Sequence, residues 1–424
     1  MDTRKLAVSF IAVAAIVTGC SSSATPSPSV APATQVPVVT PAPATPTPID
    51  TTVPSVTVSS FDTTYTIMSQ FKNLTAAGSG LVGVILPDTT SSARYVDFDA
   101  PYLTQAFASA GYNTSQFKID NAQGNDATEL AIAQADITLG AKVLVMDPLD
   151  GTVGNEIQSL AASNGVTLIS YDRATFQGTS TYYVSFDNVQ VGKLIGQGFV
   201  DCVKAWNVAN PQVFELDGGE DTDPNAISFA TGYNNAIWGQ AKTPLAAGVT
   251  NNGMTLVGEQ ITPGWNNTTG GTIFAQQFTA HPSINATVEA NDGLANAVVT
   301  YLKSKGIKPN KIPTTGQDAT LQGMENILTG YQCGSVYKPI YLEAQAAVAL
   351  ATILRAGQTP PAAFVNSTTT DPKDATIVEP AVLLTPVWVN ASNMETSVIK
   401  DGFVSASALC TAVGAAVCTA QGIK

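Results

Sequence analysis

The chain of 424 residues holds one histidine, five cysteines and 19 lysines and arginines, and its formal net charge at pH 7 is −13. Each scarcity removes a class of function. There is no HExxH pair, and the cysteines lack the spacing of a zinc site, so no metal chemistry is expected. His281 precedes Pro282 in a turn, a surface position rather than that of a general base. No glycine-rich loop that could cradle a phosphate is present, which argues against nucleotide chemistry and leaves no cofactor to expect. The negative balance speaks against nucleic acid as a partner. With 44% hydrophobic residues but only 7% aromatic ones, the composition is that of an Ala/Val-rich globular α/β protein.

What is present begins with an export signal. Residues 1–20 carry a basic start (Arg4, Lys5), an apolar run Leu6–Val17 and small residues before Cys20. The run is short for a membrane span and reads as a signal peptide. Its ending, Val17-Thr18-Gly19-Cys20, resembles a bacterial lipobox, which implies cleavage before Cys20, lipid on that residue and attachment to the cell membrane. Ser21–Ser60 is almost only Ser, Ala, Thr, Pro and Val and is expected to be an extended tether. A short helix is expected over Tyr65–Leu74, ending at Ala76-Ala77-Gly78.

The remaining body, about 350 residues, exceeds the size at which one core usually keeps growing, so two lobes are expected. Strand-like runs alternate with helical patterns: LVGVILP, FKID, VLVMDP and LISYD, then YYVSFD, VFELDG, TLVGEQ, ATVEA and IPTTGQD. Such repeats predict parallel sheets covered by helices, with all strand C-termini on one edge. LISYD and YYVSFD, within Leu168–Asn188, are read as the end of one lobe and the start of the next.

The strand ends carry polar side chains: Arg94 with Tyr95, Asp172 with Arg173, Asn188, Asn225, Trp265, Asn291, Asp318 and Lys338. Carboxylates, planar amides and cations with one or two aromatics suit a polyol. Each hydroxyl donates to a carboxylate and accepts from a cation or amide, while an aromatic face covers the C–H surface. Bland readings exist for several. Asn291 also fits a helix N-cap, Asp172-Arg173 a surface ion pair, Trp265 a loop anchor and Lys338 a solvated lysine; Asp88 and Asp99 are read as solvated.

SARYVDFDAP, ISYDRA, YYVSFDNVQVGK, VEANDGLANAVV, TTGQDATLQGMENI and VYKPI together resemble, in order and spacing, the type I periplasmic sugar-binding proteins of ABC transporters, most of all their xylose-binding branch. The resemblance runs from about Gly80 to the C-terminus. It implies two Rossmann-like doubly wound lobes joined by three crossings, an N-terminal lobe of 61–176 with 335–370 and a C-terminal lobe of 177–334 with 371–424. Hinges would lie near 174–180, 332–337 and 366–376. It implies no enzyme but a monomeric protein that captures a monosaccharide, D-xylose before D-glucose, for an ABC permease. Carried over, Arg94 and Tyr95 come from the first loop and Asp172 and Arg173 from the Asp-Arg pair. Asn188 follows the SFD turn, Asn225 lies in the next loop, Trp265 stacks, and Asn291, Asp318 and Lys338 come from the NDG, GQDA and VYKP turns. Two departures stand out: Glu289 where the strand is usually uncharged, and Tyr95 where tryptophan is common.

Rival readings are a glycosidase, for which no acid/base pair stands out, a sugar-regulated repressor core, opposed by the export signal, and a lipoprotein presenting sugar to a receptor kinase. With Cys20 assigned to lipid, Cys202, Cys333, Cys410 and Cys418 allow three pairings. By resemblance all four belong to the second lobe, and Cys410–Cys418 with Cys202–Cys333 is the favoured set, because the C-terminal pair can meet through a helical turn-back.

Overall fold

The computed structural model describes residues 23–25, 49–92, 94–176 and 181–424. Cys20, the signal segment and most of the expected tether lie outside them, as do residues 177–180 of one expected hinge. The body is Ile49–Lys424. It begins earlier than the composition predicts: Val56 is buried, and Val53 and Val58 pack on the first core although all three fall in the Pro/Thr-rich stretch. Apolar valines at intervals anchor a segment that its prolines alone would leave extended. The expected helix near Tyr65 is a 3-10 turn, Thr66–Phe71, running into α1 (Lys72–Ala77), with Gly78 as its cap.

Strands β1 (Leu81–Leu86), β2 (Phe117–Asn121), β3 (Ala141–Met146), β4 (Thr167–Tyr171) and β5 (Thr181–Phe186) alternate with α2 (Ala100–Ser109), α3 (Asp126–Thr138) and α4 (Gly151–Ser163). Then follow α5 (Asn188–Ala205), β6 (Gln212–Gly218), α6 (Pro224–Trp238), β7 (Thr250–Asn251), β8 (Met254–Thr262), α7 (Asn267–Ala280), β9 (Ala286–Glu289), α8 (Asp292–Ser304) and α9 (Leu321–Leu328). The C-terminal third adds β10 (Ser335–Tyr337), α10 (Ile340–Arg355), β11 (Ser367–Thr370), β12 (Val378–Leu384), β13 (Val387–Val389), α11 (Ala406–Val413) and α12 (Ala415–Ala420).

Two largely parallel sheets result, as the βα alternation predicts. The first runs β11-β12-β5-β4-β3-β1-β2 and the second β7-β8-β6-β9, each with one antiparallel edge strand; β10 and β13 form a separate pair. LVGVIL and AKVLVM are nearly continuous buried runs, as parallel strands covered on both faces require. The first sheet packs on one face against α2 and α10 and on the other against α3 and α4. α10 is buried almost all round, so it is a core helix rather than a surface one.

The boundary between the lobes differs from the expected one. β5 pairs in parallel with β4, Tyr171 opposite Val184, and β12 joins β5, Leu384 opposite Phe186. YYVSF and VEPAVLL therefore belong to the first sheet and not to the C-terminal lobe. The alternation continues unbroken through LISYD and YYVSFD, so nothing local to the sequence marks where the chain changes sheet. It leaves after Phe186 into α5, whose Val191, Ile195 and Phe199 enter the second core, returns through Lys338-Pro339 into α10, and leaves again after Leu384. The chain thus passes between the sheets at about 187, 338–339 and 385–386, and not at the expected hinges of 174–180, 332–337 and 366–376. IPTTGQD is not a strand; it makes a single parallel bridge, Gln317 to Val336. Both favoured disulfides are formed, Cys202–Cys333 and Cys410–Cys418.

Candidate functional site

The loops after the strands are fixed by helix caps. Asp187 caps α5, Asp223 α6, Asn291 α8 and Thr320 α9, each accepting from a backbone N–H of the first turn. Such a cap stabilises a helix by about 1 kcal/mol and pins the loop that carries it. α5 and α6 pack closely: a Cβ at Gly192 would fall 2.0 Å from the Phe229 carbonyl oxygen, so only glycine permits the approach.

From the first sheet comes Arg94, buried among three carboxylates. Its Nε and Nη2 donate to Asp99 at 2.9 Å each, Nη2 also to Glu343 at 2.7 Å, and Nη1 to Asp172 at 2.5 Å. Four of about five N–H donors are thereby engaged. Asp172 sits in the left-handed region (φ 57°) and accepts from Tyr95 Oη at 3.3 Å. Its main-chain oxygen accepts from Tyr183 Oη and from Asn225 Nδ2. Arg173 donates to the Pro148 carbonyl, lies 3.9 Å from Asp147, and shares the Tyr95 ring with Arg94, each guanidinium 5.6 Å from the centroid.

From the second sheet and the crossings, Lys338 Nζ reaches Asp172 at 3.5 Å and Asp318 at 3.7 Å. Trp265 donates from Nε1 to Asp223 at 2.9 Å and meets Phe229 edge to face. Asp318 accepts from Ser92 Oγ at 3.5 Å, a bond between residues 226 positions apart. Burial would raise the Asp172 carboxyl, but Arg94, Lys338 and Arg173 outweigh it and hold it below the ordinary carboxylate range. Burial lifts Glu343 to about 8 in spite of Arg94, so at neutral pH the cluster carries less negative charge than its residue count implies.

Nine of the ten residues chosen from the sequence line one cavity: Arg94, Tyr95, Asp172, Arg173, Asn225, Trp265, Asn291, Asp318 and Lys338. Asn188 does not. It donates to Tyr183 and lines a neighbouring cavity with Phe176 and Ser228, because it is the first residue of α5 and faces the crossing. The Asp172-Arg173 pair is not a surface ion pair, and Lys338 is not solvated; all three are buried. Asp99 and Asp88 are buried as well, contrary to expectation. Asp99 neutralises Arg94, and Asp88 caps the turn through Thr90 and Ser91. Sequence reasoning missed Ser91, Ser92, Asp223, Phe229 and Gln317 in the cavity wall. Gln317 stands in the GQD motif next to a chosen residue, and its Oε1 is buried with no hydrogen-bond partner among the described residues. Glu289 is buried too, accepting from Thr287 and the Thr315 N–H, and burial pushes it up to about 8. A protonated carboxyl there behaves as the uncharged residue that the strand calls for.

The model of the periplasmic binding protein domain matches residues 82–359. The chain belongs to the periplasmic binding protein family. A D-xylose-binding periplasmic protein of Escherichia coli is 34% identical over 69% of this chain and 82% of the relative. The multiple sugar-binding periplasmic receptor ChvE of Rhizobium radiobacter is 30% identical over 79% and 93%. The crystal structure of a carbohydrate transporter solute-binding protein from Chloroflexus aurantiacus with D-glucose superposes with a TM-score of 0.66 at 25% identity, covering 78% of this chain and 98% of that one. These are non-enzymatic, extracytoplasmic sugar-binding proteins, and no helix among the described residues is long and apolar enough to cross a membrane.

Proposed function

We propose that this binding protein captures one aldopyranose, D-xylose first and D-glucose next, as a lipid-anchored monomer attached through Cys20, and delivers it to an ABC permease. The observation that carries the reading is the buried polar cavity itself. Charged groups meet there from both sheets, Gln317 Oε1 is unpaired among the described residues, and Trp265 and Phe229 provide apolar cover. The pocket is nearly filled by its own side chains, so a sugar enters only as these contacts give way. The order of sugars follows the relative named for D-xylose and the glucose-bound structure.

Sugar hydroxyls would take over contacts that the protein now makes with itself. Asp318 and Lys338 pair with each other, and Asp172 with Lys338; a hydroxyl inserted between them can accept from the ammonium and donate to a carboxylate. Tyr95 contributes less as a stacking face than the sequence predicts, because Arg94 and Arg173 already crowd its ring. The lobes would open about residues 187, 338–339 and 385–386, and close only through contacts better made in the closed form. A thermal-shift screen of residues 49–424 against pentoses and hexoses tests the reading. A bound sugar at a thousandfold excess over Kd raises stability by about 4 kcal/mol; no shift with any monosaccharide would overturn it.

A further inference from the structure

Beside the cavity, and outside it, lies Asp292, fully buried at the start of α8. Its carboxylate accepts four hydrogen bonds from two separate segments. Oδ2 takes the Thr320 N–H at 2.8 Å and Thr320 Oγ at 3.0 Å, while Oδ1 takes Gln332 Nε2 and Ser335 Oγ, both at 2.8 Å. Its own N–H donates to the Gln317 carbonyl. The approach is so close that a Cβ at Gly316 or Gly323 would fall 2.1 Å from a carboxylate oxygen. One segment carries Gln317 and Asp318. The other leads through β10 to Lys338, and Asn291 is the preceding residue. The two segments are also joined directly, Ala319 N–H to Ser335 Oγ at 3.0 Å.

We infer that Asp292 is a positioning residue: it touches no ligand, and it sets the register of Gln317, Asp318 and Lys338 against one another so that they meet the same sugar. The inference rests on the proposed sugar site. An ordinary structural carboxylate would need only enough partners to be satisfied; this one takes its four bonds from the two segments that deliver cavity residues, and so couples their positions. A carboxylate offers two acceptor oxygens, whereas an amide offers one acceptor and one donor. After Asp292→Asn the new N–H group must face either the Thr320 N–H or Gln332 Nε2, neither of which can accept. Turning Gln332 over only sets its Oε1 against the Gly334 carbonyl, to which Nε2 now donates at 3.1 Å.

The test is calorimetric titration of residues 49–424 with D-xylose and D-glucose, with the fold of each variant followed by thermal melting. Asp292→Asn should weaken the sugar that wild type binds best by at least about tenfold. Adding Gln332→Met removes the opposing N–H and should restore part of the lost affinity, a recovery that a merely structural role does not produce. Ser335→Ala, which removes one of the four donors together with the direct tie to the Ala319 N–H, should cost at least about two- to fivefold and serves as the second variant should Asp292→Asn not fold. Wild-type affinity in folded Asp292→Asn, or in Ser335→Ala when Asp292→Asn does not fold, overturns the inference, as does a weakened Asp292→Asn that gains nothing from Gln332→Met. If wild type itself binds neither sugar, the proposed function fails first and takes the inference with it.

Discussion

Arg94→Ala tests whether this side chain is part of the fold as well as of the site. Removing it strands Asp99, Asp172 and Glu343, which approach the guanidinium at 2.9, 2.5 and 2.7 Å, all in the interior. Breaking a buried pair by removing one partner costs about 3–5 kcal/mol, because the remaining charge is left uncompensated. Glu343 is already pushed up to about 8 by burial, so it adds little at neutral pH, and Asp99 and Asp172 bear most of the loss. With an unfolding entropy of about 2.1 cal/mol/K per residue over about 375 residues, the melting temperature should fall by about 4–6 °C. The deficit must depend on pH with a definite sign. The Asp172 carboxyl lies below its ordinary value, so its stabilisation is present above about pH 4 and lost as the pH falls through the folded value. Wild type and variant should therefore differ most near neutrality and converge in acid. Arg94→Lys keeps a charge without the fork and should fall between them. Differential scanning calorimetry from pH 3 to 8 reads all three proteins; a shift below about 1 °C at pH 7, or one that grows in acid, would refute the reasoning.

Other substitutions separate site from scaffold. Asp318→Ala should lower melting less than Arg94→Ala does, because Lys338 keeps Asp172 as a partner, while calorimetry shows sugar affinity reduced by about 10- to 100-fold. Asn188→Ala should change that affinity by less than about threefold, since the side chain lines the neighbouring cavity. Glu289 is raised to about 8 by burial, so its contribution favours the fold below its unfolded value near 4.3 and is lost as the pH climbs towards 8; Glu289→Gln should remove that slope in melts taken between pH 5 and 9. Cys202→Ser/Cys333→Ser opens a loop of 131 residues and should cost about 2–5 kcal/mol in urea unfolding, with sugar affinity retained.

Local pattern made the βα units and most of the cavity legible. Strand-end residues such as Asp172, Asn291 and Lys338 announce themselves because a polar side chain that follows a buried apolar run must face a crevice or pay for its burial. Three things were not legible, each for a physical reason. The switch of sheets lies in long-range pairing: β12 joins β5 from almost 200 residues away, and no local residue encodes that partner. α10 is buried almost all round, its few polar residues included, so it lacks the amphipathic period by which a helix is recognised. Phe229 sits in the interior of α6, where an aromatic reads as core, yet it also lines the cavity. Arg94 illustrates the difference between naming a residue and knowing its role. Its place in the site was legible, whereas its three counter-ions, one of them on α10, were not.

The most direct test of the central claim is isothermal titration of residues 49–424 with D-xylose, D-glucose, D-ribose and xylobiose. The account predicts saturable one-to-one binding of D-xylose or D-glucose, weaker ribose and no xylobiose, because a site that pairs each hydroxyl discriminates strongly against a sugar that leaves a buried partner unpaired. Binding of the disaccharide alone, or of none of the four, would contradict it.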